Sequence, residues 1–181
     1  MRFEWEMGKT NQRGPHVRTD MVTVFVFRRG VKRGIEWLQL LRAERPGKIM
    51  AGTWQPVAGG IKRGESATEA ARREAREETG LTEKAIAGMW QCDEVHPFYL
   101  AARDVIMLAP AFAVEVGSAW RPKLNEEHST ARWVKDRDAE GMFMWPGQRA
   151  AIREIRELIL RADSPAREAL RSAGTERQER E

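Results

Sequence analysis

Residues 59–81 read GGIKRGESATEAARREAREETGL, and this stretch decides the fold. Ser66 stands three residues before Glu69, the spacing of a capping box, in which a hydroxyl and a carboxylate satisfy backbone N–H groups at a helix start. Gly80 is placed to take the left-handed conformation that closes a helix. The pattern therefore predicts a helix from Ser66 to Thr79. Ala67, Ala71 and Ala75 share one stripe, small enough for close packing on a sheet. Glu74, Glu77 and Glu78 fall at i, i+3 and i+4, so three carboxylates leave one face of that helix. Hard divalent cations favour such oxygen clusters, and Mg²⁺ typically combines carboxylates with substrate phosphates. Gly59 and Gly60 let the backbone come close enough for a carbonyl to join them. A solvated face, with Arg73 pairing along the surface to Glu69 and Glu77, is the competing reading. It suits REAREE alone, but not REAREE flanked by Gly59, Glu65 and Gly80.

Working outward, VTVFVF at 22–27 is rich in β-branched and aromatic residues and reads as a buried strand. GVKRG at 30–34 supplies a turn, and WLQLL at 37–41 completes a hairpin. Residues 43–53 read as a loop, 54–58 as a short strand ended by Gly59-Gly60. Further strands are expected at 85–93, 104–116 and 131–134. A second helix is expected over 146–161, with Ile152, Ile155, Leu158 and Ile159 at helical spacing. The reading divides the chain into an arm at 1–18, an α/β domain at 19–161 and a charged, fraying tail at 162–181.

At 181 residues the chain suits one domain. Its longest apolar run, Val105 to Val114, is broken by Pro110 and is about half of what a spanning helix needs. The first fifteen residues lack the apolar core of a signal peptide. Cys92 is the single cysteine, so an intrachain disulfide is excluded, and a small buried hydrophobe is the expected role. A soluble, cytoplasmic protein is the expectation. Net charge is +4, from 31 basic and 27 acidic residues that are interleaved, so a nucleic-acid stripe is not expected.

Gly59, Glu65, Arg73, Glu74, Glu77, Glu78 and Gly80 match the pattern GX5EX7REUXEEXGU at all seven fixed positions. At a background near 10% per position such a match arises by chance roughly once in ten million frames. The stretch resembles the Nudix box, with Ala75 smaller than the usual apolar residue. The resemblance implies an α/β fold, a mixed β-sheet sandwiched between helices with the box as loop–helix–loop. It implies Glu74, Glu77 and Glu78 as ligands of Mg²⁺ (or Mn²⁺), with Gly59 contributing its backbone. Glu65 and Arg73 would brace the loop. Where many members carry PGG, this chain has Val57-Ala58-Gly59. WQPVAG at 54–59, Glu127-His128 with Ala131-Arg132-Trp133-Val134, and WPGQRAAI at 145–152 are similar to the branch hydrolysing dihydroneopterin triphosphate and dATP.

These similarities make Glu127 the candidate carboxylate from outside the box, with Glu126 its rival and an ordinary surface glutamate the plain alternative. Arg42 and Lys48 are candidates to meet phosphates, or else solvated loop charges. Trp54, Trp90 and Trp145 are candidates to stack a base or pterin, although tryptophan is more often core. His96 and His128 receive no metal role. The expected activity is attack of a metal-activated water on a phosphoanhydride, most simply a nucleoside or pterin triphosphate yielding monophosphate and pyrophosphate. A dinucleoside-polyphosphate hydrolase and a non-catalytic nucleotide- or RNA-binding module are the alternatives. The expected partner is a nucleotide or related diphosphate, with no membrane and with a homodimer left open.

Overall fold

The computed structural model describes residues 14–30, 34–44, 50–95 and 97–172. Lys48 and His96 lie outside them. Ten strands run β1 (His16–Arg18), β2 (Met21–Arg29), β3 (Ile35–Arg42), β4 (Trp54–Gln55), β5 (Val57–Gly60), β6 (Ile86–Gln91), β7 (Phe98–Leu100), β8 (Val105–Met107), β9 (Ala111–Val116) and β10 (His128–Lys135). Four helices accompany them: α1 (Ala67–Thr79), α2 (Asp136–Met142), α3 (Pro146–Glu154) and α4 (Ala166–Ala169). The main sheet is mixed, in the order β10-β3-β2-β9-β6, with β4 paired to β3 and β5 to β2. β2 lies parallel to β9 and antiparallel to β3 and β5.

The period of two in VTVFVF divides the core. Val22, Val24 and Val26 face one way and join Ala70, Ala71 and Ala75 of α1, so the small-residue stripe meets the valine face. Phe25 and Phe27 face the other way and pack with Trp37, Phe143, Ile152, Ile155 and Ile159. Helices thus cover both faces of the sheet. Ser66 caps α1 with the full capping box to Glu69, and Gly80 closes it at φ 68°. α3 begins with Pro146, whose missing N–H costs nothing there, and continues as a π-helical turn through Ile155–Leu160.

Prolines account for two departures from the expected strands. Pro56 and Pro110 cannot donate to a ladder. The strand expected at 54–58 is accordingly two short ones, β4 and β5. The strand expected at 104–116 splits as well. Its first half, β8, leaves the main sheet and joins β1 and β7 in a separate three-stranded sheet.

The chain ends are more integrated than an arm and a tail imply. His16–Arg18 pairs parallel with Val105–Met107. After α4 the chain runs along the edge of β6, where Gln91 N donates to the Leu170 carbonyl and Ser172 N to the Met89 carbonyl, both at 2.9 Å. Leu170 is only 9% exposed and closes the phenylalanine-side core over Trp90. The charged composition hid one apolar anchor. Leu170→Ala is expected to cost about 2 kcal/mol in urea unfolding; a change near zero would mark this segment as solvated.

Candidate functional site

The box is organised around one guanidinium. Arg73 on α1 donates from Nε to Glu65 Oε1 (2.8 Å) and from Nη2 to Glu65 Oε2 (2.8 Å) and the Gly60 carbonyl (2.6 Å). Its Nη1 reaches Glu74 Oε1 (2.6 Å) and Glu77 Oε2 (3.1 Å). All arms of the fork are used, and the pairing to Glu65 is the bidentate geometry that lysine cannot reproduce. Glu65 also accepts from Lys62 N at 2.9 Å. Its carboxyl is held down at about 2, chiefly by the Arg73 hydrogen bonds. Arg73 and Glu65 thereby tie the β5 end, the loop and α1 together.

Gly59 meets a tighter constraint. A Cβ built there would lie 2.0 Å from Glu74 Cδ, so the Glu74 carboxylate occupies the space that any other residue's side chain would need. This close approach brings Glu74 to the sheet end. Beside it lies a cavity of about 810 Å³, lined by Glu74, Glu78 and Glu127, by Arg42 at the end of β3, and by Gln55, Ala58 and Gly59. The far wall comes from Arg18 and from the β7–β8 region with Tyr99 and Arg103, and the N-terminus of α3 adds Trp145 and Gln148.

Glu78 is 3% exposed, and its Oε2 is buried without a hydrogen-bond partner. Burial first, and then the charge of Glu74, push its carboxyl up to about 9, while a hydrogen bond from the Ala58 N–H opposes the shift. His128, at the start of β10, places Nε2 3.7 Å from this Oε2 and 3.2 Å from Gln55 Nε2.

The candidates from sequence thus divide. Glu74, Glu78, Glu127, Gly59 and Arg42 gather at the cavity. Glu77 does not join its neighbours there: it turns to Arg73 and, at 3.5 Å, to Lys62 Nζ. One helix face gives three carboxylates a common side but not a common target. Trp54 is also absent from the cavity lining, because β4 alternates and sends Gln55 inward; the Trp54 ring instead lies 3.8 Å beneath the Arg132 guanidinium. Trp90 is core, as the plain reading has it. Among the described residues no three His, Cys, Asp or Glu side chains stand close enough together to hold a cation as they are. Sequence reasoning passed over Gln55, Tyr99, Arg103 and the buried position of His128. Gln55 and His128 carried a signal, through the WQPVAG and Glu127-His128 segments, and Tyr99 and Arg103 carried none.

A mixed sheet between helices thus carries an Arg-braced loop–helix that turns carboxylates toward a cavity. The family model described as NUDIX domain matches residues 17–155. The chain belongs to the Nudix family. Among solved structures it is similar to a C. elegans Ap4A hydrolase binary complex (19% identity, TM-score 0.64, 77% of this chain and 96% of that one). It is also similar to the E. coli dihydroneopterin triphosphate pyrophosphohydrolase (21% identity, TM-score 0.60, 76% of this chain and 94% of that one). A curated relative, an octanoyltransferase of Myxococcus xanthus, is 32% identical over 123 residues, 67% of this chain; the match spans only 33% of that longer protein. No helix among the described residues is long and apolar enough to cross a membrane.

Two expectations follow. Arg73→Lys keeps the charge but loses the fork. Turnover should fall while KM stays near the wild-type value, as steady-state kinetics would show; a rise in KM alone would mean that Arg73 meets substrate. The second concerns Glu78, faced by Glu74, Glu127, Arg42 and His128. Its folded value lies above its unfolded one, so the folded state holds the extra proton. In a chelator, stability should therefore fall as pH rises from about 4.5 toward about 9. Glu78→Gln should flatten that fall in thermal unfolding; equal slopes for both proteins would refute the assignment.

Proposed function

We propose that the protein is a Mg²⁺-dependent (or Mn²⁺-dependent) hydrolase of nucleoside-diphosphate-linked substrates, in particular of a nucleoside or pterin triphosphate, releasing the monophosphate and pyrophosphate. The observation that carries this reading is the convergence of the three branch-like sequence segments on one cavity. Gln55, Pro56, Ala58 and Gly59, then Glu127, and Trp145 with Gln148 all line it, although the three segments are far apart in the chain. The E. coli dihydroneopterin triphosphate pyrophosphohydrolase bears the activity nearest to this reading. The Ap4A hydrolase supports the alternative of a dinucleoside polyphosphate substrate.

The donor set fits a hard cation. Glu78 offers a buried oxygen with no partner, beside the carboxylate of Glu74 and the exposed one of Glu127. Mg²⁺ commonly takes one or two carboxylates and completes its shell with water and substrate phosphates, so two convergent glutamates suffice. Glu77 would first have to part from Arg73 and Lys62 to join them. A bound cation would lower the pKa of water and neutralise charge on the phosphoryl oxygens. Around it the protein's own groups have separate tasks. Arg42 offers a planar cation to a phosphate, and Arg73 keeps Glu74 at the sheet end. Glu127 accepts a proton from the attacking water as the P–O bond of the anhydride breaks. Tyr99 and Trp145 offer flat faces to a heterocycle.

Glu127→Gln is expected to lower turnover by about 10²-fold or more, the usual contribution of a general base, with Glu126→Gln near wild type. Hydrolysis of a triphosphate in ¹⁸O-labelled water should give labelled monophosphate or labelled pyrophosphate. Orthophosphate as the only inorganic product, or a dinucleoside polyphosphate as much the better substrate, would contradict the reading.

A further inference from the structure

We propose that His128 is a positioning residue that holds the Glu78 carboxylate in place for the cation, with Gln55 holding the ring in turn. This inference rests on the reading of Glu78 as a cation ligand. Three polar side chains from different elements meet here, each nearly sealed from solvent: Glu78 of α1 (3% exposed), His128 of β10 (5%) and Gln55 of β4 (8%). Apolar side chains would suit such a place at lower cost, since each buried polar atom left unpaired costs roughly 1–3 kcal/mol. Two such atoms are present, Glu78 Oε2 and His128 Nδ1.

The geometry gives the ring a task. Glu78 is tethered to the Ala58 N–H, while its Oε2 accepts no hydrogen bond, so the carboxylate is fixed at one oxygen only. His128 Nε2 lies 3.7 Å from that second oxygen, too far for a hydrogen bond and close enough to bar the carboxylate from swinging toward β10. The ring is oriented by Gln55, whose Nε2 lies 3.2 Å from His128 Nε2. With the amide donating, Nε2 is the acceptor and the ring proton sits on Nδ1. Glu78 Oε2 therefore meets a nitrogen that offers it no proton, and the oxygen stays available to a ligand on the cavity side. The backbone pairing of His128 with Arg42 in the sheet register fixes the base of the ring at the cavity edge.

Groups that orient metal ligands typically change metal affinity or activity by 10–100-fold when replaced. The direct readout is Mn²⁺ binding to the full-length protein without substrate, followed by calorimetry, with steady-state kinetics beside it. His128→Leu should weaken Mn²⁺ binding about tenfold and lower kcat, with KM for a triphosphate within about twofold. Gln55→Leu should act in the same direction, and carries the same expectation if His128→Leu proves too unstable to measure. Adding Glu78→Gln to His128→Leu should weaken binding no further than Glu78→Gln alone, since both act on one ligand. Lower thermal stability with Mn²⁺ affinity unchanged in both variants would overturn the proposal, as would a rise in KM alone, which would put His128 against substrate. If Glu78→Gln itself leaves Mn²⁺ binding unaltered, the fault lies with the cation site and not with the role of His128.

Discussion

The site depends on satisfying one charge that is nearly enclosed. Arg73 stands at the junction of α1, the box loop and the β5 end, with its side chain 10% exposed. A cation in that position is destabilising unless its N–H groups are paired, and removing one partner of such a set costs far more than a surface pair contributes. Glu65, Glu74, Glu77 and the Gly60 carbonyl complete the pairing. The consequence is geometric. Loop and helix cannot shift relative to each other without breaking bonds to the same guanidinium, so the carboxylates of α1 keep a fixed bearing toward the sheet.

That rigidity supports an arrangement that is locally unfavourable. Glu74 presses onto the backbone of Gly59, and Glu78 is buried beside it with one oxygen unpartnered. Like charges brought together and desolvated work against folding, and proteins retain such arrangements mainly where function draws on them. The apolar work is done elsewhere. The valine face of β2 seats α1, and the phenylalanine face seats α3, so the sheet is held on both sides while its polar end remains open at the cavity.

Much of this was legible in the chain. VTVFVF encodes both faces of the central strand, and Ser66, Glu69 and Gly80 bound α1 because capping is a local matter of a few hydrogen bonds. The bracing roles of Arg73 and Glu65 were implied by the family resemblance, and the two residues meet because the loop and the helix that carry them adjoin in sequence. What could not be read depends on distant partners. Glu77 shares a helix face with Glu74 and Glu78, yet a side chain of three rotatable bonds goes where its partners are, here Lys62 and Arg73. Leu170 is one apolar residue in a charged segment and becomes an anchor only because β6 offers an open edge. The small sheet of β1, β7 and β8, which builds the far cavity wall, joins segments about ninety residues apart, beyond any local pattern.

The central claim is that the helix braced by Arg73 delivers Glu74 and Glu78 to a divalent cation beside the phosphates of the substrate. The most direct measurement is anomalous diffraction from crystals of the protein grown with Mn²⁺ and a non-hydrolysable triphosphate. The account predicts a manganese peak bonded to carboxylate oxygens of Glu74 and Glu78 and to phosphate oxygens in the same cavity. A peak elsewhere, or phosphates bound in that cavity with no metal contact to either glutamate, would contradict it.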